Sequence, residues 1–135
     1  MAAQQSAKNQ TILLVDDDRE FLESGRAVLE SAGYTVLTAE NGATGLELAR
    51  REKPALIMLD MMMDTNTEGM EVSRRIRETS ELRDVPILMV TGARAAMHLP
   101  FRFEPDAHHL PVSAILEKPL APEVLLREVS KHLGA

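Results

Sequence analysis

At 135 residues, 44% of them hydrophobic, the chain is long enough for one domain with a full core, and its composition excludes a disordered chain. Fifteen basic residues against 21 acidic ones leave a net charge of −6, which counts against nucleic-acid binding through bulk electrostatics. There is no cysteine, hence no disulfide framework and no thiolate zinc site, and no stretch approaches the roughly 20 apolar residues of a membrane-spanning helix.

Met1 to Asn9 is polar and lacks an apolar signal core, so it reads as a short disordered lead-in (residues 1–9) to a single domain over 10–135, in a cytoplasmic protein. Thr11-Ile-Leu-Leu-Val15 is an apolar run that ends in Asp16-Asp17-Asp18, a strand followed by carboxylates. From Arg19 the pattern turns helical: Phe21, Leu22, Gly25, Val28, Leu29 and Ala32 share one stripe, with Asp17 or Asp18 as cap and Gly33 as terminator. Tyr34 to Thr38 is a second strand, Asn41-Gly42 a turn, and Ala43 to Glu52 a second helix with Leu46, Leu48 and Ala49 facing inward. Pro54 opens a third strand, Ala55-Leu-Ile-Met-Leu-Asp60, whose five apolar residues run straight into one carboxylate, as in a strand buried on both faces.

Met61 to Glu68 reads as a loop and Gly69 to Glu78 as a third helix carrying Met70, Val72 and Ile76. The basic cluster Arg74-Arg75-Ile76-Arg77 reads as a solvated helix face. Pro86 to Thr91 is a fourth strand. Beyond Gly92 the alternation fails, because three prolines between Leu99 and Pro111 break helical hydrogen bonding. Val112 to Glu117 is a fifth strand, and Pro122 to Leu133 a last helix with Val124, Leu125, Val129 and Leu133 as its buried stripe. Strands alternating with helices predict a parallel sheet covered on both faces, with right-handed crossovers.

In such a sheet the carboxyl ends of all strands share one edge, where ligands bind. Asp16, Asp17, Asp60, Thr91 and Lys118 all fall there. Each alone has an ordinary reading: a helix cap, a β-branched filler, a solvated lysine. Together they place three carboxylates, a hydroxyl and an ammonium at one edge. Clustered carboxylates repel, and a divalent cation relieves the conflict. All-oxygen ligands point to Mg²⁺ or Mn²⁺, and Mg²⁺ is often completed by a substrate phosphate. The lysine and threonine are donors suited to a phosphoryl oxygen. The chemistry is transfer of a phosphoryl group onto a carboxylate, with Asp60 as nucleophile.

With ILLVDDD, LIMLDMMM, ILMVTG and LEKP in order at the right strand ends, residues 10 to 133 resemble a response-regulator receiver domain of two-component signalling. The resemblance implies a flavodoxin-like doubly wound five-stranded sheet, order 2-1-3-4-5. It implies Asp60 as phosphoacceptor, Asp17 as direct Mg²⁺ ligand, Asp16 acting largely through a bound water, and the backbone carbonyl of Met62 as the remaining protein ligand. Thr91 matches the switch hydroxyl, Gly92 the small residue that leaves the phosphoryl group accessible, and Lys118 the phosphoryl-contacting lysine. Pro119 matches a proline usually preceded by a cis bond. The implied partners are a sensor histidine kinase or phosphotransfer protein, a downstream protein, or a second copy in a homodimer, with no direct role for nucleic acid or membrane.

The chain also departs from that pattern. Asp64 replaces a loop proline, and Gly69 comes one residue late. Ile115 stands where the family often has Tyr or Phe, which excludes an aromatic switch at that position. Leu99 to Pro111 replaces the second half of the segment that usually holds the fourth helix, predicting a rigid extended loop beside a shortened helix. Phe101 and Phe103 flank Arg102 there, and His98, His108 and His109 read as surface-loop histidines rather than a metal site. Because the sequence ends at Ala135, just after the last helix, the expectation is a stand-alone switch. A receiver-like interaction module that works without phosphorylation is the alternative. A Mg²⁺-dependent phosphatase of the haloacid dehalogenase type needs a second acid where Met62 stands. Flavin binding is disfavoured by 3% aromatics and the lack of a phosphate-cradling loop.

Overall fold

A computed structural model describes residues 10–61, 68–92 and 112–133. It contains strands β1 (Thr11–Val15), β2 (Thr35–Ala39), β3 (Leu56–Asp60), β4 (Ile87–Gly92) and β5 (Ala114–Lys118). The helices among the described residues are α1 (Arg19–Ser31), α2 (Gly42–Glu52), α3 (Glu68–Glu78) and α4 (Pro122–Leu133), with a short 3₁₀ turn at Ser80–Leu82. All strand pairs are parallel, in the order β2-β1-β3-β4-β5, which is the doubly wound order expected. The segment from Leu99 to Pro111, with its phenylalanines and histidines, lies outside the described residues, and so does the stretch expected to hold a shortened fourth helix. So do Met62, Asp64 and the lead-in 1–9.

Alternation along the central strands divides the core in two. Leu13, Val15, Ile57, Leu59, Ile87 and Met89 pack with Leu46, Ala49, Val72 and Ile76 of α2 and α3. Ile12, Leu14, Leu56, Met58, Leu88 and Val90 pack with Leu22, Leu29, Leu125 and Val129 of α1 and α4. Every one of these side chains is less than 10% exposed, because β1, β3 and β4 are sandwiched on both faces. The edge strands β2 and β5 are only partly covered.

Local chemistry explains most boundaries. The Asp18 side chain accepts from the N–H groups of Glu20 and Phe21, capping α1, and Gly33 adopts φ 98° just beyond its end. Ala32, expected on the apolar stripe, is instead the exposed C-terminal cap residue of α1. Asn41 caps α2 by accepting from Thr44 N–H, so α2 begins at Gly42, one residue before the expected start. The basic cluster on α3 is only partly solvated. Arg74 and Arg75 are exposed, but Arg77 is half-buried and donates from Nη1 to the carbonyls of Leu82, Arg83 and Val85. Strand β5 starts two residues later than Val112 and extends through Lys118, which places the lysine in the strand rather than after it.

Candidate metal and phosphoryl site

Parallel register puts the carboxyl ends of β1, β3, β4 and β5 on one edge. Val15 pairs with Leu59, Asp60 with Val90, Thr91 with Glu117, and Gly92 with Lys118. Asp16 follows Val15 directly, so it lies level with Asp60. By the strand alternation Asp16, Asp60 and Lys118 belong to the face covered by α1 and α4, whereas Thr91 belongs to the face covered by α2 and α3.

One carboxylate oxygen each from Asp16, Asp17 and Asp60 can be chosen so that all lie within 4.8 Å of one another. Asp16 and Asp60 are buried, at 1% and 6% exposure, while Asp17 is exposed. Lys118 reaches into this cluster from β5: its Nζ lies 2.7 Å from Asp16 Oδ2 and 4.0 Å from Asp60 Oδ2. Asp16 Oδ1 accepts from Asp18 N–H at 2.9 Å, a short turn that swings the chain out of β1 toward α1. Asp16 Oδ2 is buried without a well-directed hydrogen bond: the lysine approaches within distance, but its angle is poor. Thr91 is 2% exposed, and among the described residues its hydroxyl donates a long bond, 3.4 Å, to the Gly92 carbonyl. Among the described residues, a Cβ on Gly92 would meet nothing within 4 Å. The Lys118–Pro119 bond is cis, as expected.

The donor set suits a hard divalent cation. Ligand oxygens on octahedral Mg²⁺ stand about 3.0 Å (adjacent) to 4.2 Å (opposite) apart, given its ~2.1 Å bonds, so the carboxylates must draw inward to gather round one ion. Three carboxylates this close, two of them buried, repel one another, and that repulsion supplies the reason for a cation there. Asp18, the third acid of the run, caps α1, so it is spoken for elsewhere. The expected Met62 carbonyl lies outside the described residues.

Two neighbours of the cluster were not read as site residues from the sequence. Phe21, on the first turn of α1, sits with its ring centroid 4.5 Å from Lys118 Nζ. An aromatic one helical turn beyond an acidic pair was the available signal. Gly69, near the start of α3, donates its N–H to the Met61 carbonyl at 2.9 Å and packs flat against the backbone that follows Asp60. Ile115 is partly buried against the α2–α3 side of the core, and its β5 position carries no aromatic ring.

Residues 12–130 match the family model for the response regulator receiver domain. The chain is 37% identical over 125 residues to the response regulator MprA of Mycobacterium sp. (strain KMS), covering 91% of this chain and 53% of that protein. It thus spans about half the length of that relative. Among solved structures, a putative response regulator from Chloroflexus aurantiacus superposes with TM-score 0.77 at 26% identity, covering 94% of this chain and 99% of that one. The receiver domain of a sensor histidine kinase from Pseudomonas aeruginosa PAO1 superposes equally well, with TM-score 0.77, 27% identity and the same coverage, and it holds a magnesium ion in its active site cleft. The strand order, the acidic edge and the family match over most of the chain agree, and the protein belongs to the response regulator receiver domain family.

Proposed function

We propose that this protein is a phosphoacceptor switch of a two-component phosphorelay, in which Asp60 accepts a phosphoryl group in a Mg²⁺-dependent reaction. The observation that carries this reading is the convergence of Asp16, Asp17 and Asp60 within 4.8 Å, with the Lys118 ammonium seated between two of them. An Asp60 carboxylate oxygen attacks the phosphorus of the donor, a phosphohistidine on a kinase or phosphotransfer protein or a small acyl phosphate. The phosphorus–oxygen bond to Asp60 forms as the bond to the donor's leaving atom breaks, and the leaving group departs with the electron pair. When bound, Mg²⁺ (or Mn²⁺, for the same oxygen donors) neutralises the carboxylates and the charge on the transferring group.

Asp17, exposed at the edge, is the direct ligand together with Asp60 and the Met62 carbonyl. Asp16 acts through a water, which suits a carboxylate whose oxygens already face Asp18 N–H and Lys118. Lys118 pairs with a phosphoryl oxygen. Thr91 gives up its long bond to Gly92 and turns its hydroxyl to the same group. Hydrolysis of the acyl phosphate resets the switch. On this reading the receiver domain catalyses only its own phosphorylation and dephosphorylation, acts in the cytoplasm, and signals through a protein partner or a second copy.

Incubation with acetyl phosphate and Mg²⁺, followed by intact-mass spectrometry, tests the reading. One phosphoryl group should be added to the wild type and none to Asp60→Asn. Labelling of Asp60→Asn at the wild-type level would move the acceptor elsewhere. No labelling of the wild type, also with beryllofluoride giving no change in amide spectra, would favour the phosphorylation-independent module that Ile115 leaves open.

A further inference from the structure

Three groups surround the Lys118 ammonium: Asp16 at 2.7 Å, Asp60 at 4.0 Å, and the Phe21 ring, whose centroid is 4.5 Å away. The lysine side chain is 22% exposed, so it is neither free in solvent nor locked in the core. The ring stands within the range of a cation–π contact. We infer that Phe21 is a positioning residue: its ring holds the Lys118 ammonium at the junction of Asp16 and Asp60 and keeps it there as a phosphoryl group arrives.

Charge makes the ring's part distinct from that of the carboxylates. Both carboxylates change their electrostatic role when a divalent cation and a phosphoryl group enter, because each then faces a new partner. The ring is neutral and ligates nothing, so its pull on the ammonium persists through both events. A lysine carries four rotatable side-chain bonds, and a wall that limits their freedom lowers the cost of placing Nζ on a phosphoryl oxygen. The wall is itself well anchored. Phe21 lies on the first turn of α1, which Asp18 caps, and the same Asp18 N–H donates to Asp16. Its other face packs on the α1–α4 side of the core. On the solvent side an open cleft of about 520 Å³ is lined by Asp18, Phe21, Ser24, Lys118 and Leu120. Without the ring, Lys118 can swing out into that cleft.

The proposal rests on the phosphoacceptor reading for its transfer half, and the test separates the two. In metal-free protein, proton–carbon NMR of lysine methylenes should show the Lys118 Cε protons shifted upfield by the ring current, with the shift lost in Phe21→Leu and kept in Phe21→Tyr. With Mg²⁺ and beryllofluoride, fluorine NMR titration should give Phe21→Leu an affinity about 3- to 10-fold weaker than wild type, and Phe21→Tyr an affinity near wild type. In a Lys118→Gln background, Phe21→Leu should cost nothing further, because the ring acts through the lysine. An equal loss from Phe21→Leu in both backgrounds would mark the ring as mere helix packing and overturn the proposal. So would a Lys118 methylene shift that ignores position 21. Failure of the wild type to bind beryllofluoride would overturn the phosphoacceptor reading and the transfer half with it, and the methylene shift would still decide the contact itself.

Discussion

Gly69 and Gly92 are both glycines at the rim of the site, yet they answer to different constraints. A Cβ at position 69 would collide with the Asp60 carbonyl and come within 2.7 Å of Met61 Cα and 2.8 Å of the Met61 carbonyl. These are backbone atoms, which cannot rotate aside as a side-chain tip would. Gly69→Ala should therefore force the start of α3 away from the chain that follows Asp60, at a cost of about 1–3 kcal/mol, the usual range for an overpacked site. Gly92→Ala should be nearly neutral, since among the described residues nothing lies within 4 Å of its Cβ direction. Urea denaturation of the two variants checks the contrast, and equal midpoints would show that α3 yields without strain. The one-residue delay of Gly69 is thus compatible with close packing, because the glycine still falls where helix and phosphoacceptor backbone touch.

Among the elements, α3 is tied to the entry of β4 by one side chain. Arg77 Nη1 faces three carbonyls, those of Leu82, Arg83 and Val85, with only two hydrogens to share among them. Burial lowers its pKa below the ordinary arginine value, against the opposing pull of Asp84, but the guanidinium stays charged in both folded and unfolded chains near neutrality. This contact accordingly adds no pH dependence there. Arg77→Met keeps much of the apolar stem and removes the donor; the Leu82 carbonyl keeps the Val85 N–H, while the part-buried Val85 carbonyl loses its arginine partner, at a cost of about 1–3 kcal/mol. Arg74→Met, on the exposed face, should stay within about 0.5 kcal/mol of wild type. Amide hydrogen exchange should then accelerate from Thr79 to Ile87 in Arg77→Met alone. Unchanged protection in that segment would show that solvent replaces the arginine without loss.

At the scale of the molecule, the sheet gathers like charges that the chain itself keeps apart. Asp16 and Asp17 belong to β1 and its turn, Asp60 to β3, and the Lys118 ammonium from β5 stands against Asp16 and Asp60. A cation that binds this folded cluster but not the unfolded chain stabilises the fold by mass action, by about 2.7 kcal/mol at a hundred times its dissociation constant. Mg²⁺ should therefore raise the melting temperature by several degrees in calorimetry. Asp17→Asn should lose most of that increase. Without Mg²⁺ the same variant should melt no lower than wild type, because removing one of three clustered carboxylates relieves repulsion. An identical Mg²⁺-dependent shift in wild type and Asp17→Asn would exclude Asp17 as a direct ligand.

The alternation of apolar runs and helical stripes determined the order of strands and helices, because periods of 2 and 3.6 are written in neighbouring residues. That Asp16, Asp17, Asp60 and Lys118 would meet at one edge was legible for a related reason. Parallel strands bring their carboxyl ends to a common edge whatever the fine packing. Capping by Asp18 was equally local. Tertiary structure alone decided what each side chain meets across elements. It turned Arg77 inward from a cluster that looks uniformly solvated, because the 3₁₀ turn offers carbonyls within its reach. It set Thr91 on the opposite face of the sheet from Asp16 and Lys118, a matter of strand parity. It also brought the Phe21 ring against the Lys118 ammonium, far away in sequence, since α1 folds back over the face of the sheet where β5 delivers its lysine.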